Sequence, residues 1–344
     1  MSLMDKLKAV GTPKAQTVAE SAFFKPKEVV TTIVPIINAA FTGDLTGGVI
    51  SGLTVIAGPS KHFKSNLALI AVRAYLDKYA DAVCIFYDSE FGVSPSYLKA
   101  HGIDTTRVLH IPIEHVEHLK FDIVARLKEI TDKDHVIIMV DSLGNLASKK
   151  EVEDAENEKS VVDLSRAKQI KSLFRIITPH LTMKNIPCLM INHVYEETGP
   201  FAKTIVGGGN GVMYSANQVF IVGRSQEKDG TDLKGYNFTI NIEKSRFVKE
   251  KSKLTFQVTF DGGINKFSGL MDLALESGHC SKPSAGWYVR VNKETGETSD
   301  KYRFADTNSI EFWGPVLSDK SFHAFVSSKY KLATVNMHQD EVDE

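Results

Sequence analysis

Residues 53–66 spell out a strand, a loop and a helix in the order of a phosphate-binding loop. Leu53-Thr-Val-Ile-Ala57 is a short apolar run of β type, and Lys64-Ser65-Asn66 opens a helical pattern that continues to Tyr79. Between them lies Gly58-Pro59-Ser60-Lys61-His62-Phe63. The motif is G-x-x-x-x-G-K-[ST], whose backbone N–H groups open onto a helix N-terminus with a partial positive charge. In such a loop Lys64 reaches the β- and γ-phosphates of a nucleotide and the Ser65 hydroxyl ligates Mg2+. One position departs from the pattern: Phe63 stands where the second glycine is expected. A phenylalanine is expected to demand a negative φ there, so that the loop bends differently. The bland alternative is a plain strand-to-helix turn with a solvated lysine.

A chain of 344 residues can hold one large α/β domain with smaller appendages. Its 42% hydrophobic and 24% charged content is that of an ordinary globular protein. A formal net charge of −1 means that any nucleic-acid surface must be local. Cys84, Cys188 and Cys280 lie far apart, as reduced core thiols do and a disulfide or zinc framework does not. The apolar stretch Val29 to Phe41 is interrupted by Thr31, Thr32 and Asn38 and is too short to span a bilayer. Met1 to Val10 carries charge where a signal peptide has its apolar core, so the expected location is the cytoplasm, with no membrane partner.

From Leu53 to Ile191 strand and helix patterns alternate. Strands are predicted at 53–57, 82–88, 106–111, 135–141 and 186–192, with helices at 64–79, 94–101, 115–131 and 161–184. Near-continuous apolar strands with intervening helices predict a parallel sheet covered on both faces. Functional groups then belong at the C-terminal strand ends. Asp88 with Glu90, Asp141 with Ser142, and Asn192 with His193 occupy such ends. Asp141 closes an apolar run in the manner of a Walker B acid, which orients Mg2+. Glu90 is placed to accept a proton from a water attacking the γ-phosphate. The alternatives are a turn-capping aspartate and a solvated loop glutamate.

After Val194 a long loop with little regular structure is predicted, carrying Phe201, Lys203 and Gly207-Gly208-Gly209. The preceding helix bears Lys168, Lys171 and Arg175 at helical spacing, a cationic stripe or a solvated face. Strands at 217–223, 236–243 and 253–260 follow without helices, so the sheet is expected to end in antiparallel pairing. Lys244 and Arg246 lie at a strand end from which they could reach a phosphate across a subunit boundary. From Ser268 the texture changes to a short helix (268–277), a hairpin around Gly286 and Gly296, and a last helix (316–331). The expected organisation is an N-terminal arm (1–30) that either frays or docks on a neighbouring subunit, a core (31–267), a small α+β domain (268–334) and an acidic tip (335–344).

These stretches together resemble the RecA family, and within it the UvsX-type recombinases of large tailed bacteriophages. Gly58-Pro-Ser-Lys-His-Phe-Lys-Ser65 is similar to the family's phosphate loop, phenylalanine included. Phe86-Tyr-Asp-Ser-Glu-Phe-Gly-Val-Ser-Pro-Ser-Tyr97 resembles its catalytic glutamate strand, and Val140-Asp-Ser-Leu-Gly its Walker B strand. Ile191-Asn-His193 and the glycine-rich loop match the nucleotide sensor and the second DNA-binding loop. The likeness runs from about residue 20 to residue 332. UvsX-like chains usually continue into a longer acidic tail.

The resemblance implies a RecA-like ATPase core and a DNA-dependent ATPase that uses ATP and Mg2+. It would form a helical homopolymer on single-stranded DNA, pair it with homologous double-stranded DNA and exchange strands. Phage single-strand-binding and recombination-mediator proteins are the implied partners, in the infected bacterial cell. Residue by residue, the loop from Gly58 to Asn66 holds phosphates and Tyr97 stacks on adenine. Glu90 positions the attacking water, and Asp141 is the Walker B acid. His193 takes a sensor position that RecA fills with glutamine, which adds a pH-titratable group. Lys244 and Arg246 match cations acting on a neighbour's ATP; residues 195–210 and about 147–160 match the two DNA loops. A hexameric helicase-type motor on the same fold shares Lys64, Asp141 and Glu90 and is the alternative.

Overall fold

The computed structural model describes residues 2–11, 15–21, 28–158, 165–197, 199 and 203–333. Helices α1 (Leu3–Lys8) and α2 (Pro35–Thr42) precede β1 (Gly52–Ala57), α3 (Lys64–Lys78), β2 (Val83–Asp88), α4 (Pro95–Ala100) and β3 (Val108–Pro112). Then come α5 (Val116–Glu129), β4 (Val136–Asp141), α6 (Lys149–Glu156), α7 (Ser165–Met183) and β5 (Pro187–Asn192). A hairpin of β6 (Val194–Glu196) and β7 (Thr204–Val206) leads through α8 (Asn210–Ser215) to β8 (Gln218–Asp229), β9 (Asp232–Ser245), β10 (Lys253–Thr259) and β11 (Gly263–Ile264). The C-terminal part holds α9 (Leu270–Glu276), β12 (Cys280–Ser284), β13 (Trp287–Arg290), β14 (Tyr302–Arg303), α10 (Ile310–Ser318) and α11 (Lys320–Tyr330).

One sheet runs in the order β11-β10-β9-β8-β1-β5-β4-β2-β3. The pairings from β8 to β3 are parallel, whereas β8, β9, β10 and β11 pair antiparallel. Period-two alternation gives the sheet two apolar faces. On one, Val55, Ile138, Val140 and Met190 pack with Ile123 of α5 and Phe174 and Ile177 of α7. On the other, Ile56, Met139, Leu189 and Phe220 join Phe41 of α2 and Leu69 and Val72 of α3 in a cluster that continues to Phe312, Trp313 and Phe322. Each fully buried side chain of this size contributes about 1.5–3 kcal/mol, which fixes the strand ends that carry the polar groups. The three cysteines are free and buried, and burial pushes each thiol up to about 12.

Four sequence expectations are corrected. Among its described residues the 195–210 stretch holds regular structure: Tyr195 pairs with Ile205 where β6 meets β7, whose strand is the β-branched run Thr204-Ile-Val206, and α8 follows. The first-loop stretch is mostly α6, nucleated by a capping box between Ser148 and Glu151 and lined by Lys149–Glu153 and Lys150–Asp154 pairs. The single helix at 316–331 is two, because the Asp319 carboxylate accepts from the Ser321 N–H at 2.8 Å and starts α11 afresh. Phe63 has φ +61°, not a negative φ. Its ring stacks on Phe238 with centroids 4.9 Å apart, and that packing offsets the cost of a left-handed backbone.

Candidate nucleotide site and its link to the glycine-rich hairpin

The sheet register brings the predicted strand ends together. Ala57 pairs with Asn192, and Asp88 with Asp141, so four C-terminal strand ends share one edge. The phosphate loop leaves that edge at Gly58, where a Cβ would meet the Val222 carbonyl oxygen at 2.8 Å. Only glycine permits so close a passage across β8. The loop then turns through Lys61 and Phe63, both with left-handed φ, while His62 Nδ1 donates to the Ser60 carbonyl at 2.8 Å. Ser60, Lys61, His62, Lys64, Ser65 and Asn66 thus follow Pro59 around the start of α3. The first backbone bond of that helix runs from Leu67 N–H to Phe63 O, so the N–H groups of Lys64, Ser65 and Asn66 have no intrahelical acceptor. Lys64 is buried, and its ammonium donates to the Pro59 carbonyl at 2.8 Å. Burial holds its pKa below the usual lysine range, against the opposing pull of Glu90 and Asp141.

Asp141 is 3% exposed, and its Oδ1 is buried without a hydrogen-bond partner among the described residues. Burial pushes its carboxyl up to about 6, opposed by a hydrogen bond from Ser65 and assisted by the charges of Glu90 and Asp88. A buried carboxylate with an orphaned oxygen beside a helix-start hydroxyl fits a divalent cation. Asp88 is engaged instead in structure. Its Oδ1 accepts from the N–H groups of Glu90 and Phe91 at 3.0 and 2.7 Å, and His110 Nε2 lies 3.1 Å from Oδ2.

Glu90 is held from two sides. The Ser142 hydroxyl donates to its Oε1 at 2.5 Å, and His193 Nε2 lies 3.2 Å from the same oxygen. His193 is in turn tied to the hairpin. Asn192 Oδ1 accepts from the His193 N–H at 2.9 Å, Asn192 Nδ2 donates to Gly207 O at 2.7 Å, and Gly207 N–H returns a bond to His193 O at 2.9 Å. A Cβ on Gly144 would meet His193 Cδ2 at 2.5 Å, so the turn after β4 presses against the same ring. Ser142 and Asn192 carry a sequence signal, their strand-end position, but their bonds to Glu90 and Gly207 do not, and Gly144 has no signal in the sequence.

Tyr97 is at the surface and its hydroxyl donates to Asn66 Oδ1. Beside Asn66 opens an apolar cleft of about 730 Å3 whose lining includes Phe63, Ile70, His101, Val258, Gly263 and Ile264. No motif singled out its β10–β11 wall. Its lining is mainly apolar, with Arg73, Asp77 and Lys78 along its α3 side.

The other cations gather elsewhere. Lys171, Arg175 and Arg246 line a smaller cleft of about 370 Å3 with Gly211 and Tyr214. Lys244 donates to the carbonyls of Met213 and, at 2.7 Å, Ala216, closing the C-terminal end of α8. Burial and the neighbouring Arg246 charge depress its pKa. Lys168 and Lys203 are exposed, and Lys203 O accepts from Glu197 N–H at the hairpin. Gly208 needs its φ of +89°, and a Cβ there would crowd Val212 and Ile170 at 3.1 and 3.3 Å; Gly209 is the N-cap of α8. Phe201 lies outside the described residues, as does the acidic tip (335–344).

A family model described as the RecA N-terminal domain matches residues 27–265. The chain belongs to the RecA family. Residues 267–326 match a second model, the C-terminal domain of the bacteriophage T4 recombination and repair protein. The recombination and repair protein of Enterobacteria phage T4 is 50% identical over 346 residues, covering 98% of this chain and 88% of that protein. Protein RecA of Acinetobacter baylyi is 26% identical over 288 residues, 80% of each chain, and that of Streptomyces rimosus 28% over 283 residues, 81% and 72%. The resemblance to UvsX-type phage recombinases and the RecA fold are therefore correct, and the hexameric helicase alternative is not favoured.

Proposed function

We infer that the chain is a DNA-dependent ATPase that polymerises on single-stranded DNA, pairs it with a homologous duplex and exchanges strands. The observation that carries the nucleotide chemistry is the orphaned Asp141 Oδ1, buried beside Ser65 and Lys64 at the start of α3. Ser65 and Asp141 would hold Mg2+, which would supply neutralisation of phosphate charge. Lys64 exchanges the Pro59 carbonyl for phosphate oxygens, aided by the N–H groups of the first turn of α3. The base occupies the cleft beside Asn66 and Tyr97. Glu90 takes the proton of the attacking water, oriented by Ser142 and His193.

The His193–Asn192–Gly207 bonds support a coupling role: a change of Glu90 or His193 partners at the γ-phosphate moves the base of the hairpin. The hairpin from Tyr195 to Gly209, with the Lys168, Lys171 and Arg175 face beside it, contacts single-stranded DNA. Lys244 and Arg246 act across the subunit boundary on a neighbour's ATP. Phage single-strand-binding and mediator proteins are the expected accessory partners.

Hydrolysis tests the site. Glu90→Gln retains Mg–ATP binding and loses DNA-stimulated turnover by about two to four powers of ten, the usual contribution of a general base. Lys64→Ala loses the binding itself. Turnover near wild type in Glu90→Gln removes Glu90 from the base role.

A further inference from the structure

Resting on the nucleotide-site reading above, we propose that Phe63 is a positioning residue whose ring clamps the phosphate loop onto β9 and β10. The loop is fastened at two residues, Lys61 and Phe63, with φ of +60° and +61°. The Phe63 ring stacks on Phe238 at 4.9 Å and tilts against Phe256 at 5.5 Å. Phe238 meets Tyr236 along β9 with centroids 6.1 Å apart, and the Arg224 guanidinium lies 4.6 Å over the Tyr236 ring. Arg224 Nη1 then donates to the Lys61 carbonyl at 3.2 Å. The contacts close a circuit: from the loop at Phe63, through β9, across to β8 and back to the loop at Lys61.

A glycine at position 63 gives the loop conformational freedom that must be removed when phosphates bind. Phenylalanine instead holds the left-handed turn in place beforehand, because leaving it withdraws the ring from two aromatic neighbours. The same ring lines the base cleft with Val258 and Ile264, so loop and base wall are positioned as one unit. Aromatic clamping replaces backbone freedom at this site.

The test is calorimetric titration of Mg–ATPγS into the full chain, with steady-state ATP hydrolysis on single-stranded DNA. Phe63→Gly restores the usual loop sequence yet should weaken Mg–ATPγS binding and raise KM by about tenfold, with kcat changing far less. Phe63→Tyr, which keeps the ring, should bind near wild type. Phe238→Leu should weaken binding severalfold in the wild-type background and add little to Phe63→Gly. Should Phe63→Gly fail to fold, Arg224→Gln cuts the other fastening from the surface and is expected to raise KM in the same way. Wild-type or tighter binding by Phe63→Gly, or an equal Phe238→Leu effect in both backgrounds, overturns the proposal. A Lys64→Ala control separates the two levels. Lost binding there with an unaltered Phe63→Gly sinks the clamp alone, whereas retained binding in Lys64→Ala sinks the nucleotide site itself.

Discussion

At the scale of residues, the burial of Asp141 has a consequence for stability. Its carboxyl stands near 6 in the fold against an ordinary value of 3.8. The folded state therefore holds this proton more tightly than the unfolded chain does. The favourable contribution is full below pH 3.8, is lost as pH rises towards 6, and is gone above it. The difference is on the order of 3 kcal/mol at 1.36 kcal/mol per unit. In metal-free buffer Asp141→Asn should unfold at higher urea than wild type at pH 8, with the advantage shrinking towards pH 4. Equal midpoints at pH 8 would show that the ionised carboxylate costs nothing. A stabilising substitution at a position predicted to be essential is the pattern of a residue kept for chemistry.

Among the elements, the β6–β7 hairpin and α8 join the nucleotide side to the cationic side. Gly208→Val should distort their junction, since φ of +89° and the nearby Val212 and Ile170 side chains leave no room for a branched residue. We expect fluorescence anisotropy to show weakened single-stranded DNA binding with Mg–ATP binding retained. Unchanged DNA affinity would detach the hairpin from DNA and shift the contact to Lys168, Lys171 and Arg175. Lys244→Ala and Arg246→Ala should abolish DNA-stimulated hydrolysis while isolated subunits still bind nucleotide. Mixing either with Lys64→Ala should restore part of the activity, because mixed interfaces join two intact half-sites. No rescue at any ratio, with lost nucleotide binding, would confine both cations to their own subunit.

Part of this arrangement is legible in the sequence. Strand ends at Asp88, Asp141 and Asn192 follow from near-continuous apolar runs that end in a polar residue, a signal that a parallel sheet buried on both faces makes strong. The hairpin was not legible, because Thr204-Ile-Val206 is too short to stand out among glycines. Phe63's conformation is not legible for a related reason. Local sterics predict its φ, and the Phe238 and Phe256 partners lie about 175 and 193 positions away, beyond any local pattern. The Lys244 contacts with Met213 and Ala216 are likewise tertiary.

For the whole molecule, a net charge of −1 sets how DNA is held. We expect few phosphates to be neutralised per subunit, each adding about −0.7 to the salt slope on single strands, so that the total slope is small and affinity depends on cooperation along the filament. ATP-driven exchange of homologous strands is measured by following joint molecules between circular single-stranded DNA and linear duplex DNA. Joint molecules should require both homology and ATP, and should disappear with Lys64→Ala. ATP hydrolysis without joint molecules, or duplex unwinding indifferent to homology, would contradict that exchange.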